Sequence, residues 1–270
     1  MAIANTYKYI LFERQDRVGV ITFNRPEKLN AWTYEMNGEM LNAIEACNND
    51  PGIGAIIITG AGRGFCAGAD VRGFNNSIEA REANDGRRGS MDAPPESEHL
   101  AATLRRAKPL IAAVNGISMG VGMTLTLPMD LRIASENARF SMRFVRMGIT
   151  PEVASTTYLP QIVGLPNALD MILTGRIVEA PEAERMGLVQ QVVPADKLMD
   201  AALAVASEIA ANPNDEVLQA KRLVHQHMVE QDIDAVVKEE NRSITRAYTG
   251  PDHKEAVTAF LEKRQPQFNQ

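Results

Sequence analysis

A chain of 270 residues, 45% hydrophobic and 23% charged, has the composition of a soluble globular protein that can bury a substantial core. A net charge of −6 argues against nucleic acid or an anionic membrane surface as a partner. The two cysteines, Cys47 and Cys66, form neither a disulfide framework nor a metal-ligand spacing. No window approaches the ~18 consecutive apolar residues of a membrane span, and the first residues lack the apolar stretch of a secretory signal, so a cytoplasmic protein is expected.

Residues Tyr7–Glu13 and Arg17–Phe23 alternate apolar and polar positions about Gln15-Asp16, which predicts a β-hairpin. Asn24-Arg25-Pro26-Glu27-Lys28 reads as a loop, since proline restricts its own backbone and that of the residue before it. Thr33 is placed to cap a helix running to about Cys47, with Met36, Met40, Ile44 and Cys47 on one face. Asp50-Pro51-Gly52 ends that helix, and Ile53–Thr59 follows as a buried strand. The alternation continues through a strand at Leu110–Val114, a helix near Val121–Met129 and a strand at Asp130–Ala134, which predicts an α/β class. Residues 75–97 are rich in turn formers and charge. They read as a mobile excursion over the first of the glycine-rich loops described below, either a functional lid or a tolerated insertion. Beyond Pro194 the pattern becomes helical, over Asp196–Ala211, Asp215–Glu230, Ile233–Tyr248 and Lys254–Lys263. The chain therefore divides into an α/β core over 1–195 and a helical C-terminal region over 196–270.

Two glycine-rich stretches, Phe65-Cys66-Ala67-Gly68-Ala69-Asp70 and Asn115-Gly116-Ile117-Ser118-Met119-Gly120-Val121-Gly122, each follow a strand-like run. Each places pliant backbone at a strand end, and two N–H groups converging there on one oxygen make an oxyanion hole. Gly60-Ala61-Gly62-Arg63-Gly64 has the wrong spacing for a dinucleotide fingerprint, so a cofactor-binding Rossmann domain is not expected and these glycines are read as turning the chain. His225 and His227 lie two apart on a helix and so on different faces, which favours solvated side chains over a ligand pair; His99 lies beside the excursion and is within reach of the site. Neither a metal cluster nor a nucleophilic elbow is evident, and nothing nearby in sequence would activate Cys66.

Several motifs taken together resemble the enoyl-CoA hydratase/isomerase, or crotonase, superfamily. They are Phe23-Asn24-Arg25-Pro26-Glu27-Lys28-Leu29-Asn30-Ala31, the first glycine stretch, Ala112-Ala113-Val114-Asn115-Gly116, Asp130-Leu131-Arg132-Ile133-Ala134 and Ala259-Phe260-Leu261-Glu262-Lys263-Arg264. They occur in the family's order from about Tyr7 to Phe268. The resemblance implies a crotonase-like spiral of repeated ββα units followed by a helical trimerisation region. It implies a homotrimer or a dimer of trimers acting on an acyl-CoA thioester, with coenzyme A part of the substrate and no separate cofactor or metal. Ala69 and Val121 would supply the two oxyanion-hole N–H groups, although a glycine is usual at the place of Val121, whose side chain would narrow the acyl pocket. Ala67 would lie along the adenine, Arg25 and Lys28 near the phosphates, with Asp70 and Gly120 in the same loops. Phe260 and Lys263 would reach the coenzyme of a neighbouring subunit. For Lys28 plain surface charge is an equal alternative, and Asp70 is also read as a residue that only holds its loop.

Hydratases of this family use two glutamates, and their places here hold Thr124 and Phe144. Neither exchanges a proton near neutral pH. Glu152 remains, within Gly148-Ile149-Thr150-Pro151-Glu152, at a turn where some isomerases of the family carry their base. The pattern also reads as a plain helix start, with Thr150 as N-cap, Pro151 at the first position and Glu152 in the first turn. Met119, Met123, Thr124, Phe144 and Met147 are candidates for the acyl pocket, where they would desolvate Glu152, or for ordinary core. The expected activity is isomerisation of an enoyl-CoA with Glu152 as base. The alternatives are hydration or a related hydrolase or lyase reaction, and an acyl-CoA-binding protein without turnover.

Overall fold

In a computed structural model the described residues are 7–70 and 100–268. The excursion at 75–97 and His99 fall outside them. The chain opens with the expected hairpin, β1 (Ile10–Gln15) antiparallel to β2 (Val18–Phe23), pairing Gln15 with Val18. The turn is Asp16-Arg17, one residue later than the sequence suggests, because Asp16 adopts φ 50° and aspartate tolerates that left-handed region.

β2 continues into a six-stranded sheet through β3 (Ala55–Gly60), β5 (Leu110–Val114), β7 (Leu131–Ser135) and β10 (Gln191–Val193), all parallel. A second sheet of four short strands runs beside it, in the order β4 (Gly64–Cys66), β6 (Ile117–Met119), β8 (Arg139–Ser141) and β9 (Val178–Glu179). The first three are mutually parallel. Strands β3, β5 and β7 each pass through a short corner into β4, β6 and β8, so each repeat contributes one strand to each sheet. This is the spiral of ββα units that the sequence implies.

Helix α1 (Tyr34–Asn49) starts as expected, with the Thr33 hydroxyl accepting from the Met36 N–H at 3.2 Å. Its buried face of Met36, Met40, Ile44 and Cys47 packs with Ile56 and Ile58 of β3, while Ala55 and Ile57 point to the opposite side. That side is covered by α7 (Leu198–Ala210), which sets Leu198, Ala202, Ala206 and Ala210 at four-residue spacing on the sheet. Between these helices come α2 (Leu100–Arg106), α3 (Val121–Thr124), α4 (Ser155–Val163), α5 (Leu165–Thr174) and α6 (Ala180–Arg185). Helix α3 is four residues long rather than extending to Met129. Beyond it the chain tightens into three-residue turns, Thr126 to Met123 and Leu127 to Thr124, ahead of Pro128, which disfavours the α conformation of the residue before it.

The last three helices, α8 (Asn214–His227), α9 (Ile233–Tyr248) and α10 (Pro251–Glu262), bury among themselves only Ala259. Helix α8 is tied to the core by Lys221, whose Nζ donates to Asp130 Oδ2 at 2.7 Å and to the Ala107 carbonyl at 2.9 Å. This docking corrects the expectation for the nearby histidines. The side chains of His225 and His227 are only 21% and 13% exposed, and His225 Nε2 lies 3.7 Å from Asp130 Oδ1. Among the described residues no helix is long and apolar enough to cross a membrane, and no three metal-ligating side chains cluster.

Candidate active site

The parallel register of β4 and β6 pairs Gly64 with Ile117 and Cys66 with Ser118. Ala69 and Val121 each lie three residues beyond the second of these pairs, in the two loops that follow where the parallel strands end. The loops that follow touch through backbone. A Cβ on Gly122 would fall inside the contact radius of the Cys66 carbonyl oxygen, so only glycine permits this approach. Gly68 and Gly120 take φ values of 106° and 54°, which turn each loop back across its strand end.

The direction of the Ala69 N–H follows from a parallel bridge between Ala69 and Trp32. The bridge uses the flanking groups, with Trp32 N–H donating to the Gly68 carbonyl at 2.8 Å and Asp70 N–H donating to the Trp32 carbonyl at 3.0 Å. Along a strand successive residues turn their N–H groups to opposite sides, so that of Ala69 points away from Trp32. Val121 is the first residue of α3, and a first-turn N–H has no acceptor within its helix. Neither N–H has a partner among the described residues. A four-residue helix carries little macrodipole, so these groups act as individual hydrogen-bond donors rather than through a helix field.

The third strand of the small sheet, β8, is fixed to the second by Met119 opposite Ser141 and by the Gly120 N–H donating to the Ser141 carbonyl at 3.0 Å. The chain leaves β8 at the same end as the glycine loops, makes a 3-10 turn over Arg143–Met147 and reaches Glu152. Glu152 is not in the first turn of a helix, contrary to one reading of Thr150-Pro151-Glu152. Val153 and Ala154 both adopt the left-handed region, at φ 55° and 53°, and α4 begins only at Ser155. These two residues break the chain direction that the local signal would otherwise continue. Left-handed backbone costs an L-residue roughly 1–2 kcal/mol, most for a β-branched side chain. Glu152 is an exposed residue, and the protein packed about one side of its carboxyl pushes the pKa above the ordinary value by partial desolvation. No cation or donor from the described residues pairs with this carboxylate, and its main-chain oxygen accepts the Ser155 N–H at 3.0 Å.

Of the acyl-pocket candidates, Met123, Thr124 and Phe144 are buried and Met119 is half-buried at the end of β6. Met147 is 58% exposed and points out of the core. The Thr124 hydroxyl lies 3.4 Å from the Val121 carbonyl, and the Val121 side chain is buried. Burial pushes the Cys66 thiol up to about 12, which leaves it inert as a nucleophile. Ala67 is half-buried and anchored by its N–H to the Leu29 carbonyl at 3.0 Å. Lys28 is exposed on the 3-10 turn Pro26–Lys28. Arg25 is instead turned inward, donating to Asp70 Oδ2 at 2.9 Å and to the Ala31 carbonyl. At the far end of the chain Phe260 is 82% exposed, and Lys263 closes α10 in a left-handed cap.

Asn30 gained no role from sequence alone. It is fully buried at φ 55°, its amide donating to the Ala61 and Gly64 carbonyls at 3.0 and 2.7 Å and its oxygen accepting the Arg25 N–H at 2.8 Å. It thereby staples the Arg25 loop to β4. The available signal was an asparagine ending a proline-containing loop, since asparagine tolerates the left-handed region.

A sequence model of the family described as Enoyl-CoA hydratase/isomerase matches residues 13–270. A Mycobacterium bovis protein named "Probable enoyl-CoA hydratase echA8" is 38% identical over 97% of this chain and 98% of its own. The 1,2-epoxyphenylacetyl-CoA isomerase of Escherichia coli is 33% identical over 97% and 98%. Among solved structures, subunit I of an enoyl-CoA hydratase from Geobacillus kaustophilus superposes with a TM-score of 0.84 at 31% identity, covering 98% of this chain and 99% of that one.

Proposed function

Because this chain belongs to the enoyl-CoA hydratase/isomerase family and has the crotonase fold, we propose that it moves the double bond of a 3-enoyl-CoA into conjugation with the thioester, using Glu152 as its one acid–base group. Glu152 takes a proton from C2. The N–H groups of Ala69 and Val121 hold the oxygen of the resulting dienolate, and the same carboxyl returns the proton at C4. The reaction is balanced with no water consumed and no cofactor beyond the coenzyme A of the substrate.

One observation carries this reading. Glu152 is an unpaired, partly desolvated carboxylate on the loop leaving the third parallel strand, and the first two strands present the unpartnered N–H groups at the same end. Ligand sites in parallel sheets gather at that carboxyl end. Hydration normally needs a second carboxyl to handle the water, and the two places where the family keeps its pair hold a buried threonine and a buried phenylalanine. An oxyanion-hole donor is worth roughly 10²–10³ in kcat and a positioned base roughly 10²–10⁴. Glu152→Gln therefore lowers kcat for isomerisation by at least about 100-fold and leaves KM nearly unchanged.

The second reading is hydration of a 2-enoyl-CoA, with Glu152 alone activating water. It is favoured by the name hydratase on relatives such as the M. bovis protein, while the E. coli relative is named an isomerase. A protein that binds acyl-CoA without turnover is a third reading, in which Glu152→Gln changes nothing measurable. The assembly is proposed as a homotrimer or a dimer of trimers, in which Phe260 and Lys263 reach the coenzyme of the neighbouring subunit. The exposed apolar face of the C-terminal helices supports it. A cytoplasmic setting accords with the two buried, unpaired cysteines.

A further inference from the structure

We propose that Arg25 is a positioning residue of the oxyanion hole, acting through Asp70, and not a ligand of the coenzyme's phosphates. The inference rests on the reading of Ala69 as a hole donor. Arg25 follows β2, and its guanidinium spans a gap of 45 residues in sequence to Asp70, which follows Ala69 directly. One Nη donates to Asp70 Oδ2 at 2.9 Å and the other to the Ala31 carbonyl, while the guanidinium carbon sits 5.7 Å from the centre of the Tyr9 ring. The arginine side chain is 14% exposed and that of Asp70 23%. A fork held on two sides and covered by a ring presents little of itself to a phosphate. Lys28, in the same loop, is the exposed cation.

The ion pair acts on the hole through peptide geometry. The Ala69 N–H and the Gly68 carbonyl belong to one planar trans peptide and point in opposite directions. The Gly68 carbonyl is held by the Trp32 N–H, and the Trp32 carbonyl by the Asp70 N–H. Ala69 is therefore flanked by two clamped groups, and Arg25 closes the clamp by fastening Asp70 and the Ala31 carbonyl, immediately before Trp32, to one guanidinium. The pair is electrically neutral, so its contribution is direction rather than charge. Loss of the strap lets the end of the Cys66–Asp70 segment swing from Trp32 and turns the Ala69 donor off the carbonyl oxygen. A displacement of about 1 Å costs up to ~100-fold in rate.

The test compares Arg25→Met, Arg25→Lys and Asp70→Asn with the wild type on 3-enoyl-CoA and on the matching enoyl-pantetheine thioester, which carries no phosphate. Positioning predicts that kcat falls about 10- to 100-fold in Arg25→Met on both substrates, with KM within about threefold of wild type. Asp70→Asn, which keeps the shape of the side chain and a weaker, uncharged acceptor, gives a smaller loss of the same kind, and the double variant loses no more than Arg25→Met alone. Arg25→Lys recovers part of the rate, since one ammonium cannot hold both acceptors. A loss confined to KM, absent with the pantetheine thioester, overturns the proposal and returns Arg25 to the phosphates. A second readout needs no turnover: bound 4-(dimethylamino)cinnamoyl-CoA absorbs further to the red when its thioester carbonyl is polarised. A red shift in the wild type that shrinks in Arg25→Met and Asp70→Asn supports the strap. An equal shift in all forms overturns the strap alone, and no shift in the wild type overturns the hole itself and the strap with it.

Discussion

Glu152 joins three properties that a general base requires: an ionisable group, no internal partner to hold its charge, and surroundings that raise its pKa. Two consequences follow from the sign of that shift. Below its folded pKa the carboxyl is protonated and cannot abstract a proton, so the acid limb of the pH profile of kcat/KM lies above the ordinary glutamate range. For stability, the unfolded chain ionises this group at its ordinary value and the folded chain only at a higher one. The penalty on the folded state is thus complete above the folded pKa and vanishes below the unfolded one. Glu152→Gln removes the penalty, which solvent screening at this exposed residue keeps small, so the variant melts slightly higher than wild type at neutral pH, and the difference narrows as the pH is lowered through the raised pKa. An unchanged or lower melting temperature at neutral pH contradicts the desolvated carboxylate.

At the scale of elements, the loops after β4, β6 and β8 make the proposed site, and they were unevenly legible. The glycine loops could be read because the required residue type announces the geometry, at Gly68 and Gly120 through positive φ and at Gly122 through close approach. Gly122→Ala forces a Cβ onto the Cys66 carbonyl; chemical denaturation should report a loss of about 1–3 kcal/mol, with the two donors driven apart. The Glu152 loop could not be read, because Thr150-Pro151-Glu152 is a strong local helix signal overruled by left-handed Val153 and Ala154, which no propensity suggests. Ala154 is exposed, so Ala154→Gly releases roughly 1–2 kcal/mol of left-handed strain without losing packing, against about 0.4–1 kcal/mol for glycine's freer unfolded chain, and stabilises the fold by up to about 1 kcal/mol. The Arg25–Asp70 pair was equally hidden. Both residues were placed in the site from sequence, but their mutual contact depends on how β2 and β4 come together.

Across the whole molecule, the helical run after Pro194 was visible in composition, whereas the docking of α7 on the large sheet was not. Leu198, Ala202, Ala206 and Ala210 form a mild four-residue pattern that suits a sheet as well as another helix. Helix α9 shows the opposite case. Ile233, Val237, Ile244 and Tyr248 are all exposed and fall within an arc of about 60° at 3.6 residues per turn, a stripe that asks for cover. In a monomer Ile244→Asp is close to neutral, as surface changes usually are. In the proposed assembly it buries a charge between copies, so sedimentation should find the wild type trimeric or larger and the variant dissociated. A wild type that sediments as a monomer removes the assembly reading and the roles given to Phe260 and Lys263.

The central claim, one carboxylate doing proton transfer beside two backbone donors, is tested most directly by assaying purified protein in parallel on trans-2-enoyl-CoA and 3-enoyl-CoA. Hydration and double-bond migration are followed separately, each beside Glu152→Gln. The account predicts migration without appreciable hydration, lost in the variant while acyl-CoA still binds. Hydration at a useful rate, or migration that survives Glu152→Gln, contradicts it.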